Sequence, residues 1–351
     1  MPGRLRHRSG LPALVLGVAL VAAACSSGGG SGSGGGSELT GNIKISGSST
    51  VEPISSLAAE RFREENSGVT ISVDGPGTGD GFKLFCNGET DISDASRAIK
   101  AEEADACKAK GIEFIELQVG IDGIAVITSP QNPVSCLNDN DLYALIGPEA
   151  EGVKTWDAAQ KLATELGSKT KLPSAPLTIT APGEESGTYD SFIELALAPV
   201  AEQRVEAKKI TEDEAAGTRK DYQASPNDNV IIEGIGGNPG SLGWVGFAFA
   251  DQNKDKVKLL QVAGEDGTCV TPDKTTISDG SYTLARPLFI YVSKSKLGSS
   301  PALQSFVDYY VSDEGLANVA EADYVDMNAE QKARTTATWQ AKTAGTQVEA
   351  S

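Results

Sequence analysis

Polar and apolar residues alternate over residues 42–46, which predicts a β-strand, and 47–50 follows as a turn. Residues 53–65 carry Ile54, Leu57, Ala58 and Phe62 at helical spacing, with Pro53 in the first turn, where a missing N–H is tolerated. Residues 69–73 predict a second strand, 74–80 a loop, and the stretch after it a short helix carrying Phe82 and Phe85. Further strands are expected at 112–117, 121–128 and 177–180, the last leading through 181–187 into a helix over 188–198. Late strands fall at 242–248 and 284–292, and helices at 301–311 and 313–322; from about residue 328 the chain is polar and weakly periodic. Strands alternating with helices, without an internal repeat, predict an α/β architecture.

One apolar run stands outside this pattern. Arg4, Arg6 and Arg8 precede the apolar residues 11–21, and Ala22, Ala23 and Ala24 follow. That is the layout of an export signal over 1–24, and the run is too short to span a bilayer. Leu20-Val21-Ala22-Ala23-Ala24-Cys25 resembles the lipobox of bacterial lipoproteins, which implies cleavage before Cys25 and acyl chains on it. The alternative is a plain secretory signal cut near Ala24. The lipid reading is preferred because residues 26–37 are all Ser and Gly, a flexible tether with no means of forming a core. The lipidated Cys and tether then occupy 25–39. No second hydrophobic span follows.

Removing 1–24 takes away three basic residues and no acid, so the formal net charge falls from −18 to −21. Such a chain does not bind nucleic acid or an anionic membrane surface by bulk attraction, and any anion it holds must be caught by local geometry. The single histidine, His7, lies in the signal, which excludes a Ser-His-Asp triad, a Cys-His pair and a His-ligated metal from the mature chain. With Cys25 lipidated, Cys86, Cys107, Cys136 and Cys269 remain for two disulfides, with three possible connectivities.

Three strand-to-helix junctions share one chemistry: Ser46-Gly47-Ser48-Ser49-Thr50, the glycine loop from Gly75 to Gly81, and Gly183-Glu184-Glu185-Ser186-Gly187-Thr188. Each places small residues and hydroxyls where a helix begins, and free N–H groups with the positive dipole end suit anions. Taken singly each reads as an N-cap or a turn. The glycine loop matches neither a P-loop nor a dinucleotide fingerprint. A fourth segment, Asp91-Ile92-Ser93-Asp94-Ala95-Ser96-Arg97, sets an acid, a hydroxyl and a guanidinium close together. It reads either as a surface turn with a local Asp94–Arg97 ion pair or as a mixed donor and acceptor site. In the second reading Arg97 grips two oxygens of an oxyanion, and Asp94 accepts a proton that phosphate carries and sulfate lacks.

These segments resemble the phosphate-binding proteins of the high-affinity phosphate ABC transporter, over about 40–325 and in matching order. The matching motifs are Gly47-Ser48-Ser49-Thr50-Val51-Glu52-Pro53, Gly77-Thr78-Gly79-Asp80-Gly81-Phe82, the 91–97 segment, and Ser186-Gly187-Thr188-Tyr189-Asp190-Ser191-Phe192. Asp122-Gly123-Ile124-Ala125-Val126 and Leu284-Ala285-Arg286-Pro287-Leu288 resemble its crossover strands. The resemblance implies a two-lobed periplasmic-binding-protein fold of type II with the ligand in the interlobe cleft. One lobe would comprise 40–121 plus 287–351, the other 122–286. Cys86–Cys107 and Cys136–Cys269 is the preferred pairing because each bridge then stays within one lobe. The resemblance also implies phosphate held without metal or cofactor by Ser49, Thr50, Thr78, Gly79, Asp94, Ser96 and Arg97 of one lobe and Ser186, Gly187 and Thr188 of the other.

Some family members carry an Arg just ahead of the Ser-Gly-Thr loop. Here that stretch is Ala181-Pro182-Gly183-Glu184-Glu185, so Arg97 becomes the one strong cationic candidate. Glu184 or Glu185 would orient Arg97 or a backbone donor, or face water. Trp156 and Trp244 are expected in the core. The implied function is a non-enzymatic, monomeric receptor that delivers phosphate to a membrane permease driven by a cytoplasmic ATPase. Alternatives are a receptor for arsenate, sulfate or molybdate, a phosphate-sensing surface protein, and a phosphoesterase using Ser186. Against the last, the chain lacks a G-x-S-x-G elbow and a histidine base.

Overall fold

The computed structural model describes residues 39–184 and 186–347. The signal, Cys25, the Ser/Gly tether and Glu185 lie outside the described residues. The main path of the large sheet is made by β1 (Gly41–Gly47), β2 (Val69–Asp74), β3 (Ile92–Ala95), β4 (Phe114–Thr128), β5 (Thr178–Ala181), β6 (Gln223–Ala224), β7 (Ser241–Gly246) and β8 (Ala285–Ser293), with Lys258–Leu259 pairing to β4 off that path. Their order is β2-β1-β3-β8-β4-β7-β5-β6. β1 runs parallel to β2 and β3, and β5 parallel to β6 and β7. The two long strands between them are antiparallel to their neighbours and to each other.

Those two strands carry the chain between two cores. On β4, Ile115, Leu117 and Val119 pack with Ile43, Ile45, Ile54 and Phe62, whereas Ile121 through Ile127 pack with Trp156, Phe192 and Trp244. On β8, Leu288, Ile290 and Val292 belong to the first core, while Leu284 just ahead of the strand belongs to the second. A fold of two lobes with two crossing strands follows from this exchange. Trp156 and Trp244 are fully buried, as expected.

The helices include α1 (Glu52–Glu65), α2 (Thr78–Cys86), α3 (Ala101–Ala109), α4 (Gly187–Phe192), α5 (Pro301–Tyr310) and α6 (Ala329–Ala341). Four readings are decided or refined. The segment around Asp94 is no surface turn: β3 lies between β1 and β8 with every residue buried. The strands expected at 112–117 and 121–128 are one continuous 15-residue strand, buried throughout. The expected helix over 188–198 is present and longer: α4 passes through a π-turn at Ile193–Leu197 into a further helical stretch, Ala198–Glu206. The polar tail folds as α6, which buries Thr335, Thr338 and Trp339, and the chain beyond bonds to β4 through Gly345 N and Phe114 O at 2.9 Å.

The disulfides are Cys86–Cys107 and Cys136–Cys269, in agreement with the sequence-based pairing. The first ties α2 to α3. The second ties the strands Cys136–Asn138 and Cys269–Val270, which flank Gln261–Ala263 in a small separate sheet. No helix among the described residues is long and apolar enough to cross a membrane.

Candidate functional site

The site begins where β1 and β3 end side by side, with Gly47 in register with Asp94. Gly47 has φ +152°, and a Cβ there would lie 2.0 Å from Asp94 O, so only glycine permits this approach. Ser48 N donates to Asp94 O at 2.9 Å, and Gly77 N donates to Gly47 O at 2.8 Å. Three of the four predicted segments therefore converge at the carboxyl ends of parallel strands, where open α/β sheets bind ligands.

At the start of α2, Thr78 Oγ1 and Ser96 Oγ are 3.1 Å apart, and Ser96 N donates to Thr78 Oγ1 at 3.2 Å. The Arg97 guanidinium stands beside them, its Nη2 3.9 Å from a Cβ built on Gly79. Thr78, Gly79, Ser96 and Arg97 thus form one cluster. Arg97 is paired with Glu103 of α3 by two bonds of 2.8 Å, and the Phe82 ring lies 5.5 Å from its Cζ. The local Asp94–Arg97 pair weighed from sequence does not form. Nor does Glu184 orient Arg97, because Glu184 is exposed and paired with Lys220.

Asp94 is fully buried. Its Oδ1 accepts from Ser55 Oγ of α1 at 3.0 Å, and Ser55 Oγ is also 3.0 Å from Tyr310 Oη of α5. Oδ2 has no hydrogen-bond partner in the protein. Burial pushes the Asp94 carboxyl up to about 7, against the Ser55 hydrogen bond and with help from Glu52 and Asp74. Any acceptor role toward a ligand rests on Oδ2.

The second lobe meets this cluster through α4. Ser186 caps α4, its Oγ accepting from Thr188 N at 3.2 Å. A Cβ on Gly187 would lie 3.6 Å from Ser49 O and from Thr50 Cα, so the two loops face each other across a closed cleft. Ser49 Oγ donates to Asp190 Oδ2 at 3.5 Å. Thr50 is already engaged: its amide donates to Ser48 Oγ at 3.2 Å, and its hydroxyl lies 3.4 Å from Ser191 Oγ. Ser49, rather than Thr50, keeps the more accessible side chain of that loop.

Arg97 is not the one strong cation here. Arg286, 8% exposed, lies on β8 directly opposite Asp122 of β4. Its Nη2 donates to Ser191 Oγ at 2.6 Å and Thr50 Oγ1 at 3.3 Å, its Nε to Asp122 Oδ2 at 3.4 Å, and its Nη1 to Glu194. Ser191 Oγ donates in turn to Asp122 Oδ2 at 2.7 Å. This group links Thr50 of the first lobe to Ser191 and Glu194 of the second. Burial raises the Asp122 carboxyl, and the Arg286 charge with the two hydrogen bonds works against that rise. The sequence held a signal for it: an Arg and an Asp, each inside an otherwise apolar strand, need each other. Among the described residues, no cluster of three or more His, Cys, Asp or Glu could hold a metal ion.

A family model described as a PBP superfamily domain matches residues 32–314. Protein SphX of Synechococcus elongatus is 39% identical over 297 residues, covering 84% of this chain and 80% of that protein. The phosphate-binding protein PstS of Staphylococcus aureus is 34% identical over 313 residues, covering 88% and 85%. The crystal structure of a possible phosphate-binding protein from Planctomyces limnophilus matches with a TM-score of 0.75 at 33% identity, over 87% of this chain and 99% of that one. The crossing strands, the paired lobes and these likenesses agree: the chain belongs to the PBP superfamily, among proteins of the PstS phosphate-binding type.

Proposed function

We propose that this protein captures inorganic phosphate outside the cytoplasm and delivers it to the permease of an ABC transporter powered by a cytoplasmic ATPase. The carrying observation is the meeting of Ser49, the Thr78–Gly79–Ser96–Arg97 cluster and the Ser186–Gly187–Thr188 cap across one cleft, in a chain whose relatives include a phosphate-binding protein PstS. Phosphate would accept from the hydroxyls, from the amides at the start of α2, and from the outward edge of Arg97. Its own proton would go to Asp94 Oδ2, the unpaired buried oxygen of the group. A fully deprotonated oxyanion offers that oxygen only repulsion, which is the basis for preferring phosphate to sulfate.

Ligand in this position touches both lobes, so binding and closure are coupled. Acyl chains on Cys25, followed by the Ser/Gly tether, would keep a monomeric receptor within reach of its permease. No cofactor has a part in this reading, and capture and release need no covalent step. The test is calorimetric titration with phosphate, sulfate and arsenate at two pH values. Phosphate binding with sulfate silent is expected; equal affinity for sulfate would sink the assignment. The tether is tested separately by Cys25→Ser, which should move the protein from the membrane fraction to the medium.

A further inference from the structure

We propose that Glu103 is a positioning residue for the oxyanion site, holding the Arg97 guanidinium against the start of α2. The inference rests on the phosphate reading above, and it concerns a residue outside all four site segments. Glu103 sits on α3 with an 18% exposed side chain. Its Oε1 accepts from Arg97 Nη2 and its Oε2 from Arg97 Nη1, both at 2.8 Å. A two-point bond of this kind fixes the plane of a guanidinium as well as its place.

Every neighbouring contact restrains the same group. Arg97 Nη1 also donates to Ala98 O at 3.1 Å, and the guanidinium lies over the Phe82 ring of α2 at 5.5 Å. Ile99 N donates to Tyr291 Oη at 2.9 Å, which fixes the link between Arg97 and α3, and Tyr291 packs edge-on against Phe82 at 4.8 Å. The Cys86–Cys107 bridge joins the helix that carries Phe82 to the helix that carries Glu103. The pair occupies one edge of the guanidinium, and the Nη2 end lies beside Gly79. A ligand therefore meets a cation that is already oriented, and loses little side-chain entropy in using it.

A plain helix-capping role accounts for part of what Glu103 does. Its Oε2 also accepts from Lys100 N at 2.9 Å at the start of α3. Glutamine performs that capping equally well, but it has one acceptor oxygen and no charge for Arg97. Glu103→Gln thus separates the two roles.

The experiment uses the detergent-solubilised full chain. Inorganic phosphate affinity is measured by calorimetry for the parent, Glu103→Gln, Arg97→Ala and the double variant. Rotation of the Arg97 guanidinium is followed by arginine side-chain nitrogen NMR without ligand. Glu103→Gln should weaken phosphate binding about tenfold, as loss of one charged hydrogen bond implies, with an unchanged melting temperature. It should release the guanidinium to fast rotation, and it should have no further effect in the Arg97→Ala background. Unchanged affinity would reduce Glu103 to a cap, and tighter binding would make it a competitor of the ligand; either overturns the proposal. A guanidinium equally mobile in parent and variant overturns it whatever the affinity. A slowly rotating guanidinium in a parent that ignores phosphate would sink the phosphate reading alone.

Discussion

Arg286→Met tests whether the buried guanidinium at the crossing strands stabilises the fold. Methionine fills most of the space that arginine occupied, so the main change is electrical. Asp122, 2% exposed, keeps only the Ser191 hydrogen bond and loses its counter-charge. Stranding one partner of a buried pair costs about 3–5 kcal/mol. Glu194 adds little to this, because its side chain is 60% exposed and rehydrates. The hydroxyls of Thr50 and Ser191 add about 1 kcal/mol each. The penalty should depend on pH. Without Arg286, the Asp122 carboxyl rises further above its unfolded value of about 3.9. The native state then holds a proton that the unfolded state has released, so stability falls as pH rises through that interval. Urea unfolding of the phosphate-free protein should show the full loss near pH 7.5 and a much smaller one near pH 4. Adding Asp122→Asn should recover most of it. A variant with the parent's midpoint at pH 7.5, or with the same loss at both pH values, would refute the reasoning.

Three further outcomes are expected. Arg97→Ala should weaken phosphate binding by about 2 kcal/mol, a factor of about 30, less than for a fully buried cation because the side chain is 34% exposed and already paired; unchanged affinity in calorimetry would remove Arg97 from the site. Asp94, raised to about 7, should make the parent lose up to about 1.4 kcal/mol per pH unit between about pH 4 and pH 7. Asp94→Asn should flatten that slope, and parallel unfolding profiles would count against the raised Asp94 carboxyl; the same variant should admit sulfate, and undiminished rejection would count against ionised Asp94 as the acceptor of the ligand's proton. The Cys136–Cys269 bridge spans 133 residues and Cys86–Cys107 spans 21. Removing the first pair by serine substitution should cost about 1–2 kcal/mol more in chemical unfolding than removing the second, on the loop-entropy account.

What the sequence revealed depended on how local the signal was. The strands β1 and β2 and helix α1 follow from periodicity, and the three glycine and hydroxyl junctions could be found because each is continuous in sequence. β3 was hidden because Ser93 and Asp94 make it look polar, yet it lies in the middle of a sheet where both faces are covered. α3 and α6 were hidden for the opposite reason: their surfaces are almost entirely polar, and α3 buries Cys107 alone. Arg97 was found but its partner was not. Glu103 is one of two adjacent glutamates in an acidic stretch, and only the fold selects it. Arg286 and Asp122 were legible in principle, as opposite charges inside two apolar strands, but their register across the crossing is a tertiary fact.

A chain with a formal net charge of −18 is poorly suited to holding an anion by bulk attraction, and the arrangement of its cleft charges bears on how it can. Arg97 is balanced by Glu103, and Arg286 by Asp122 and Glu194, so neither cation offers an unpaired charge to the surrounding solution. Simple Coulomb attraction at long range is then weak or repulsive, and it is screened further within about 8 Å at physiological salt. In the proposed site, recognition falls to short contacts: hydroxyls on both lobes, amides at the start of α2, and the free edge of a guanidinium held by Glu103. Such contacts depend on distance and direction rather than on charge alone. They favour a ligand with the right number of acceptors and one proton to give, and they reach full strength only when the second lobe has closed. Affinity should therefore vary little with ionic strength. A steep fall in phosphate affinity between low and physiological salt would mean that bulk charge, and not this geometry, holds the ligand.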